Sequence, residues 1–328
     1  MKFKTTAIAL AVAGSVATPM AAQADVYASA RIGIHNVDTG GVSETSVGGV
    51  ASRFGIRSET DLGNGMTGFG RYEWGVSTEG DGVLSRRHAY VGLKGDFGSV
   101  LAGQTYHTFY NHLVGPLDIP WVGSGFAMVD YVGRTAEALT YSGGTGGVSW
   151  GATGYFNSNA TADNGAPETL DGFELAATFG IGDMSLGVGA RDIDTERDAT
   201  TTSAAVEDED PVIGATLSGI GLGGASLGVG IQKQEDDTSV TLEADVGNIY
   251  FHYEMLDCDK DTKNFNCSGA PKSSGAPDTS PSIITIGYNQ SLGRNTTMWY
   301  EVNSYDADTG DSDDDATGVY ATLKYDIQ

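Results

Sequence analysis

Arg31, Arg53 and Arg57 stand at alternate positions to apolar neighbours, Ala30 and Ile32 in one stretch and Phe54 and Ile56 in the other. In extended chain successive side chains point to opposite faces, so these guanidinium groups gather on one polar face. Their planar forks suit carboxylate and other oxyanion partners. Glu59 and Glu73 are the acids in the same region that would pair with them. The five histidines, His35, His88, His107, His112 and His252, accompany no G-x-S-x-G nucleophile motif, and nothing in their spacing marks a hydrolytic triad. No enzyme activity, cofactor or resident metal is expected. Cys258 and Cys267 are the only two cysteines, fewer ligands than a structural metal needs; a small disulfide closing the segment between them is the expectation. Acidic runs at Glu207–Asp210, Glu235–Asp237 and Asp313–Asp315 read as solvated loops, as oxygen ligands for divalent cations, or as the source of a mild preference for cations.

The elements that position these groups are strands. Lys2 and Lys4, an apolar run from Ala7 to Ala17 and the Ala22-Gln23-Ala24 pattern form a secretory leader over residues 1–24, which places the mature domain at 25–328 and the cysteines in an oxidising compartment. No later stretch is long and apolar enough for a membrane-spanning helix. A formal charge of −25 argues against nucleic acid as a partner. With 48 glycines and 8 prolines among 328 residues, the chain is built for many strands and tight turns.

Period-2 alternation recurs from Val26–Ile34 and Arg53–Arg57 through Met66–Ser77, Val83–Lys94, Ser99–Gln104, Arg134–Ser142 and onward to Thr317–Ile327, sixteen segments in all. One face is apolar and the other polar or small, as a membrane barrel requires. Placing Arg53 and Arg57 in lipid instead would cost about 2–4 kcal/mol each near the midplane, so both belong to the lumen. Short connections follow the even-numbered segments and mostly longer ones the odd-numbered, matching periplasmic turns and external loops. The longest connection in the first half, Tyr106–Gly133, carries Phe109, Tyr110, Leu113, Leu117, Ile119, Trp121, Phe126 and Tyr131. So apolar a loop must pack against a wall, and it is expected to fold into the barrel.

At SRFGIRSETDLGNGMTGFGRYEW (from Ser52), RRHAYVGLKGDFGSVLAGQ (Arg86–Gln104) and VGRTAEALTY (Val132–Tyr141) the chain resembles the general diffusion porins of Gram-negative bacterial outer membranes. That resemblance implies an all-β, sixteen-stranded transmembrane antiparallel β-barrel with an inward-folded third loop, a homotrimer in contact with outer-membrane lipid and lipopolysaccharide, and passive diffusion of ions and small hydrophilic solutes. It places Arg53, Arg87 and Arg134 on the wall of a constriction, with Arg31 and Arg57 added by their lumen-facing parity, and it places carboxylates in the third loop. Where the family often has a Pro-Glu-Phe-Gly-Gly type stretch, this chain has PLDIP, so Asp118 is the first acidic candidate and Asp130 the second. Glu137 stands where the family often has an outward-facing asparagine, and the chain ends in Gln328 where the family usually ends in phenylalanine. The loop aromatics Phe109, Tyr110 and Trp121 also admit a sugar-specific channel, and a structural adhesin is the third reading.

Overall fold

The computed structural model describes residues 23–78, 84–131, 133–156, 170, 172–193, 210–259, 279–308 and 314–327. Its strand segments form one closed antiparallel sheet. β1 (Gln23–Thr39) turns at Gly40 and Gly41 into β2 (Val42–Gly49), and beyond a bend the chain continues as β3 (Arg53–Gly63). β1 pairs with β2 along its second half and with β3 along its first. β2 and β3 are therefore two halves of one wall strand, and the 17 segments make the sixteen strands expected. At the bend Ala51 takes a φ of 55°, and Ser52 repairs the ladder: its Oγ accepts the Arg31 N–H at 2.8 Å and donates to the Arg31 carbonyl at 2.9 Å.

The wall continues with β4 (Met66–Gly75), β5 (Ser85–Gly95), β6 (Gly98–Gln104), β7 (Ala138–Thr145), β8 (Val148–Tyr155), β9 (Gly172–Ile181), β10 (Met184–Ile193), β11 (Val212–Leu222) and β12 (Ala225–Gln234). It ends with β13 (Asp237–Val246), β14 (Ile249–Asp257), β15 (Ser282–Gly293), β16 (Thr296–Asp306) and β17 (Ala316–Ile327). β17 pairs with β1 from Ala28 opposite Ile327 to Thr39 opposite Ala316. Closure leaves no open edge, the condition for holding strands in hydrocarbon, where no water satisfies an unpaired amide.

Burial is inverted relative to a soluble protein. Ile34, Leu175, Ile231, Ile286, Val302 and Val319 lie exposed on the outer face, while Glu73, Glu174, His252, Glu254 and Thr285 are buried inside. The alternation expected for β1 and β3 is present, with Val26, Ile32 and Ile56 outward and Ser29 inward.

Three boundary readings are corrected or left open. The strand expected from Arg134 starts at Ala138, because Glu137 adopts a φ of 57° and Thr135 makes only an isolated bridge to Thr105. Glu137 thus lies ahead of the strand, exposed, its carbonyl accepting the Phe156 N–H at 2.8 Å. The leader, Val83, Cys267 and Gln328 lie outside the described residues, although β1 already includes Gln23 and Ala24, ahead of the expected boundary. Cys258 is disulfide-bonded, and the sequence offers it no cysteine but Cys267.

The chain leaving β6 does not stay at the rim. It runs inward past β9–β16 and returns to β7, and the wall is bare where it passes. A Cβ on Gly214 would sit 2.6 Å from Leu113 Cδ2, and one on Gly230 would sit 2.7 Å from Leu117 Cδ1. At Gly187 the obstacle is the His112 carbonyl, which is backbone and cannot swing aside. We expect Gly187→Val to destabilise the barrel by about 1–3 kcal/mol through overpacking, and Gly221→Val, where nothing lies within 4 Å, to leave the urea midpoint of the refolded barrel unchanged.

Candidate functional site

A loop that crosses a barrel interior has no ladder to satisfy its amides, and buried backbone donors must find acceptors. Wall carboxylates supply them. Glu174 on β9 accepts the Phe109 N–H at 2.8 Å, Glu301 on β16 accepts that of Trp121 at 2.6 Å, and Glu254 on β14 accepts those of Gly125 and Ala127 at 2.7 and 3.1 Å. Gln232 accepts the Asp130 N–H at 2.9 Å, and the hydroxyls of Thr216 and Thr285 donate to the carbonyls of Leu113 and Gly123.

Each glutamate is itself held. Tyr155 donates to Glu174 at 2.6 Å with Arg191 Nε at 3.2 Å, Tyr250 donates to Glu301 at 2.6 Å, and His252 bridges Glu254 and Glu243. Between these polar pins Phe109, Leu113, Val114, Ala127, Met128 and Val129 pack into a core with Ala176, Val212 and Leu256. Burying each of the larger side chains is worth about 1.5–3 kcal/mol.

The opposite wall is cationic. Arg71 and Arg87 contact the fully buried Glu73, Arg87 Nε at 2.8 Å, while Arg53 Nη1 stands 3.9 Å away and Tyr27 donates to the same carboxylate at 2.9 Å. Arg53 lies within electrostatic reach of Arg31, Arg87 and Arg134. Arg134 lies 4.5 Å over the Tyr106 ring and donates to its hydroxyl at 2.5 Å. Burial, and then the charge of Arg87, holds the Arg134 guanidinium below its usual basicity. Arg31 lies 4.3 Å over Trp121 at the loop's far reach, and Trp121 stacks on Trp299 at 3.8 Å.

Of the five arginines expected, Arg31, Arg53, Arg87 and Arg134 therefore meet. Arg57 stands aside with Asp25 at 3.5 Å, both largely exposed. It lines a recess of about 620 Å³ shared with Arg31, Arg53 and Arg71.

The acidic candidates are engaged. Asp118 accepts from Tyr110, Tyr131 and Ser124 at 2.7, 2.8 and 2.8 Å, knotting the loop on itself. Burial, then the Asp118 charge, pushes both tyrosine hydroxyls well above their ordinary range. Asp130 is ion-paired with Arg191. Sequence reasoning did not single out Arg71 or Arg191. Arg71 shares the inward parity of Glu73, against Tyr72 and Trp74, and that same alternation would have found it.

The sequence pattern of the family described as Gram-negative porin matches residues 6–328. The major outer membrane protein P.IB of Neisseria gonorrhoeae is 34% identical over 112 residues, covering 30% of this chain and 31% of that relative; the chain thus aligns with about a third of the length of this curated relative. Among solved structures, the anion-selective porin from Comamonas acidovorans superposes with a TM-score of 0.71 at 19% identity, covering 94% of this chain and all of that one. The trimer form of OmpT from Vibrio cholerae superposes with a TM-score of 0.65 at 15% identity, covering 94% of this chain and 100% of that one.

Glu254→Ala removes the acceptor of two loop amides, and charge-assisted hydrogen bonds are worth about 1.5–3 kcal/mol. Deuterium exchange at Gly125 and Ala127 is expected to quicken roughly tenfold or more, with the β16–β17 ladder unchanged; equal exchange in both proteins would show that Glu254 does not hold the loop.

Proposed function

The chain belongs to the Gram-negative porin family, and from that premise we propose that it forms a water-filled outer-membrane channel through which ions and small hydrophilic solutes diffuse passively, with anions favoured at the constriction. The observation that carries the preference is a set of five guanidinium groups with one buried carboxylate among them: Arg53, Arg71 and Arg87 pair with Glu73, and Arg31 and Arg134 lie within electrostatic reach of Arg53. Across from them Asp118 is drawn into hydroxyl hydrogen bonds, and Asp130 is neutralised by Arg191. Fixed charges lining a narrow pore sort ions by sign.

The cation preference expected from the acidic runs gives way to this reading. Glu235 and Asp236 lie exposed in the turn between β12 and β13 and Asp314 lies exposed ahead of β17, while Asp237 is buried and accepts the Asp259 N–H at 2.9 Å and the half-buried Asp315 accepts the Ala307 N–H at 3.1 Å; Glu207–Glu209 and Asp313 lie outside the described residues. Exposed charges at strand ends are screened over about 8 Å at physiological salt, whereas a cluster between low-dielectric walls is screened less. The Comamonas acidovorans porin, to which the chain is similar in fold, is anion-selective, in agreement with the sign.

A sugar-specific path is disfavoured because the three rings that would form it are already engaged. Trp121 is in contact with Arg31 and stacks on Trp299, Tyr110 stacks on Tyr106 at 3.7 Å, and Phe109 is fully buried. No catalysis is proposed: His88, His107, His112 and His252 are each bonded to wall or loop groups, with burial depressing the basicity of His107 and His112. The assembly proposed is a homotrimer, for which the trimeric neighbour is the support. Lipid and lipopolysaccharide contact its outer face, divalent cations meet the acidic loops, and a leader over residues 1–24 directs export of the barrel at 25–328.

In a planar bilayer under a KCl gradient, the reversal potential should carry the sign of anion preference. Arg53→Gln and Arg134→Gln should each move it toward zero, and the double variant further, while Asp118→Asn changes it least. A cation-selective wild type would overturn the reading. Liposome swelling should fall smoothly with sugar size; saturable uptake of one sugar would favour the specific channel.

A further inference from the structure

The recess beside the constriction offers more than a field. Glu73 is asked to compensate three guanidinium groups at once, and the outermost of them, Arg53 at 3.9 Å, is too far for a hydrogen bond. Arg53 spends its Nε on the Ala51 carbonyl at 3.0 Å, and Arg31 spends its Nε on Ser29 at 3.1 Å. The terminal nitrogens of both have no hydrogen bond to a described residue. Arg31 is held against the Trp121 ring, 4.3 Å from its centroid, and Arg53 by its Ala51 bond, so two forks with spare donors are preorganised on the wall of a cavity of about 620 Å³ that Asp25, Glu73 and Asp326 also line. Preorganisation removes most of the ordering cost that a flexible cation would bring to binding.

Chloride has one centre and no directional acceptors. A compact dianion with oxygens on two sides can engage one fork with each, which matches two neighbouring guanidinium groups on one cavity wall better than a single charge does. We propose that this recess, between Arg31 and Arg53 with Arg71 behind them, is a dwell site for small dianionic oxyanions, a tetrahedral oxyanion or a short dicarboxylate; the proposal rests on the anion-favouring reading of the constriction. The recess is open and wet, so occupancy is brief, as conduction requires of any site along a pore.

The test is chloride current through the purified channel in planar bilayers at constant ionic strength, with phosphate, sulfate or succinate added and acetate as the monoanion control. Saturable block by dianions, at concentrations at least about tenfold below any effect of acetate, is expected. Arg31→Gln and Arg53→Gln should each weaken that block about tenfold, and Lys94→Gln, at a lysine paired with Glu59 outside the recess, should not. Arg31→Lys and Arg53→Lys keep the charge and remove the fork, so they should weaken block while leaving the reversal potential in place, and they serve where a glutamine variant fails to assemble. Block by phosphate and sulfate alone assigns the site to tetrahedral oxyanions, and block by succinate alone to dicarboxylates. Anion preference without saturable block, or block equal in wild type and both arginine variants, overturns the dwell site alone. A cation-selective reversal potential in the same recordings overturns the reading beneath it.

Discussion

A peptide segment that leaves a β-sheet and crosses the sheet's own interior loses every ladder partner for its amides. The structure depends on how this chain meets that constraint. Glu174, Glu254 and Glu301, at most 2% exposed, point inward from three strands and accept four loop N–H groups. A buried carboxylate without partners would be costly. These three are affordable because the loop amides bond to them, because Tyr155, Tyr250 and His252 add further hydrogen bonds, and because Arg191 is ion-paired with Glu174 at 3.2 Å. Wall and loop are thus mutually dependent: remove the loop and the wall keeps unpaired acids, remove the acids and the loop has no reason to stay.

This dependence separates charge by use. The acids of β9, β14 and β16 are consumed in holding the loop, and those of the loop, Asp118 and Asp130, are consumed in its own knot and in the pair with Arg191. On β3, β4 and β5, Arg53, Arg71 and Arg87 share Glu73 alone, and on β1 Arg31 lies over the Trp121 ring with no acid paired to it among the described residues. A chain with a formal charge of −25 therefore presents a cationic interior face. Net charge describes solubility and the field at a distance; the sign of the constriction follows from which carboxylates already have partners.

How much of this the sequence discloses follows from which interactions are local. Period-2 alternation is a property of one strand, so the wall, its sixteen-fold count and the inward parity of Arg31, Arg53 and Arg57 are all legible from it. The inward course of Tyr106–Gly133 was legible from its aromatics, since that much apolar surface needs cover. The strand start at Ala138 was not, because the left-handed residue before it is glutamate, where glycine or asparagine would have signalled the break. The roles of Asp118 and Glu254 were not legible either. Each depends on groups brought close only by tertiary folding, Tyr131 thirteen residues from Asp118 within the folded loop and Gly125 129 residues from Glu254 across the barrel. A carboxylate's type says that it can carry charge across a pore; only its neighbours say whether that charge is free.

The glycines of β10–β12 complete the argument, because pins alone would not set the loop's distance from the wall. Leu113 and Leu117 reach down to Gly189, Gly214, Gly228 and Gly230, whose missing Cβ atoms leave room for the leucine methyl groups. Glycine weakens a strand by roughly 0.5–1 kcal/mol relative to alanine, a cost that a sheet hydrogen-bonded on both sides of every strand tolerates. The loop is therefore seated against one wall by shape and held there by acid, and the width left to solutes is the remainder of the lumen on the arginine side. Pore size and pore charge thus descend from the same event, the docking of one loop on one glycine-bearing, glutamate-bearing wall.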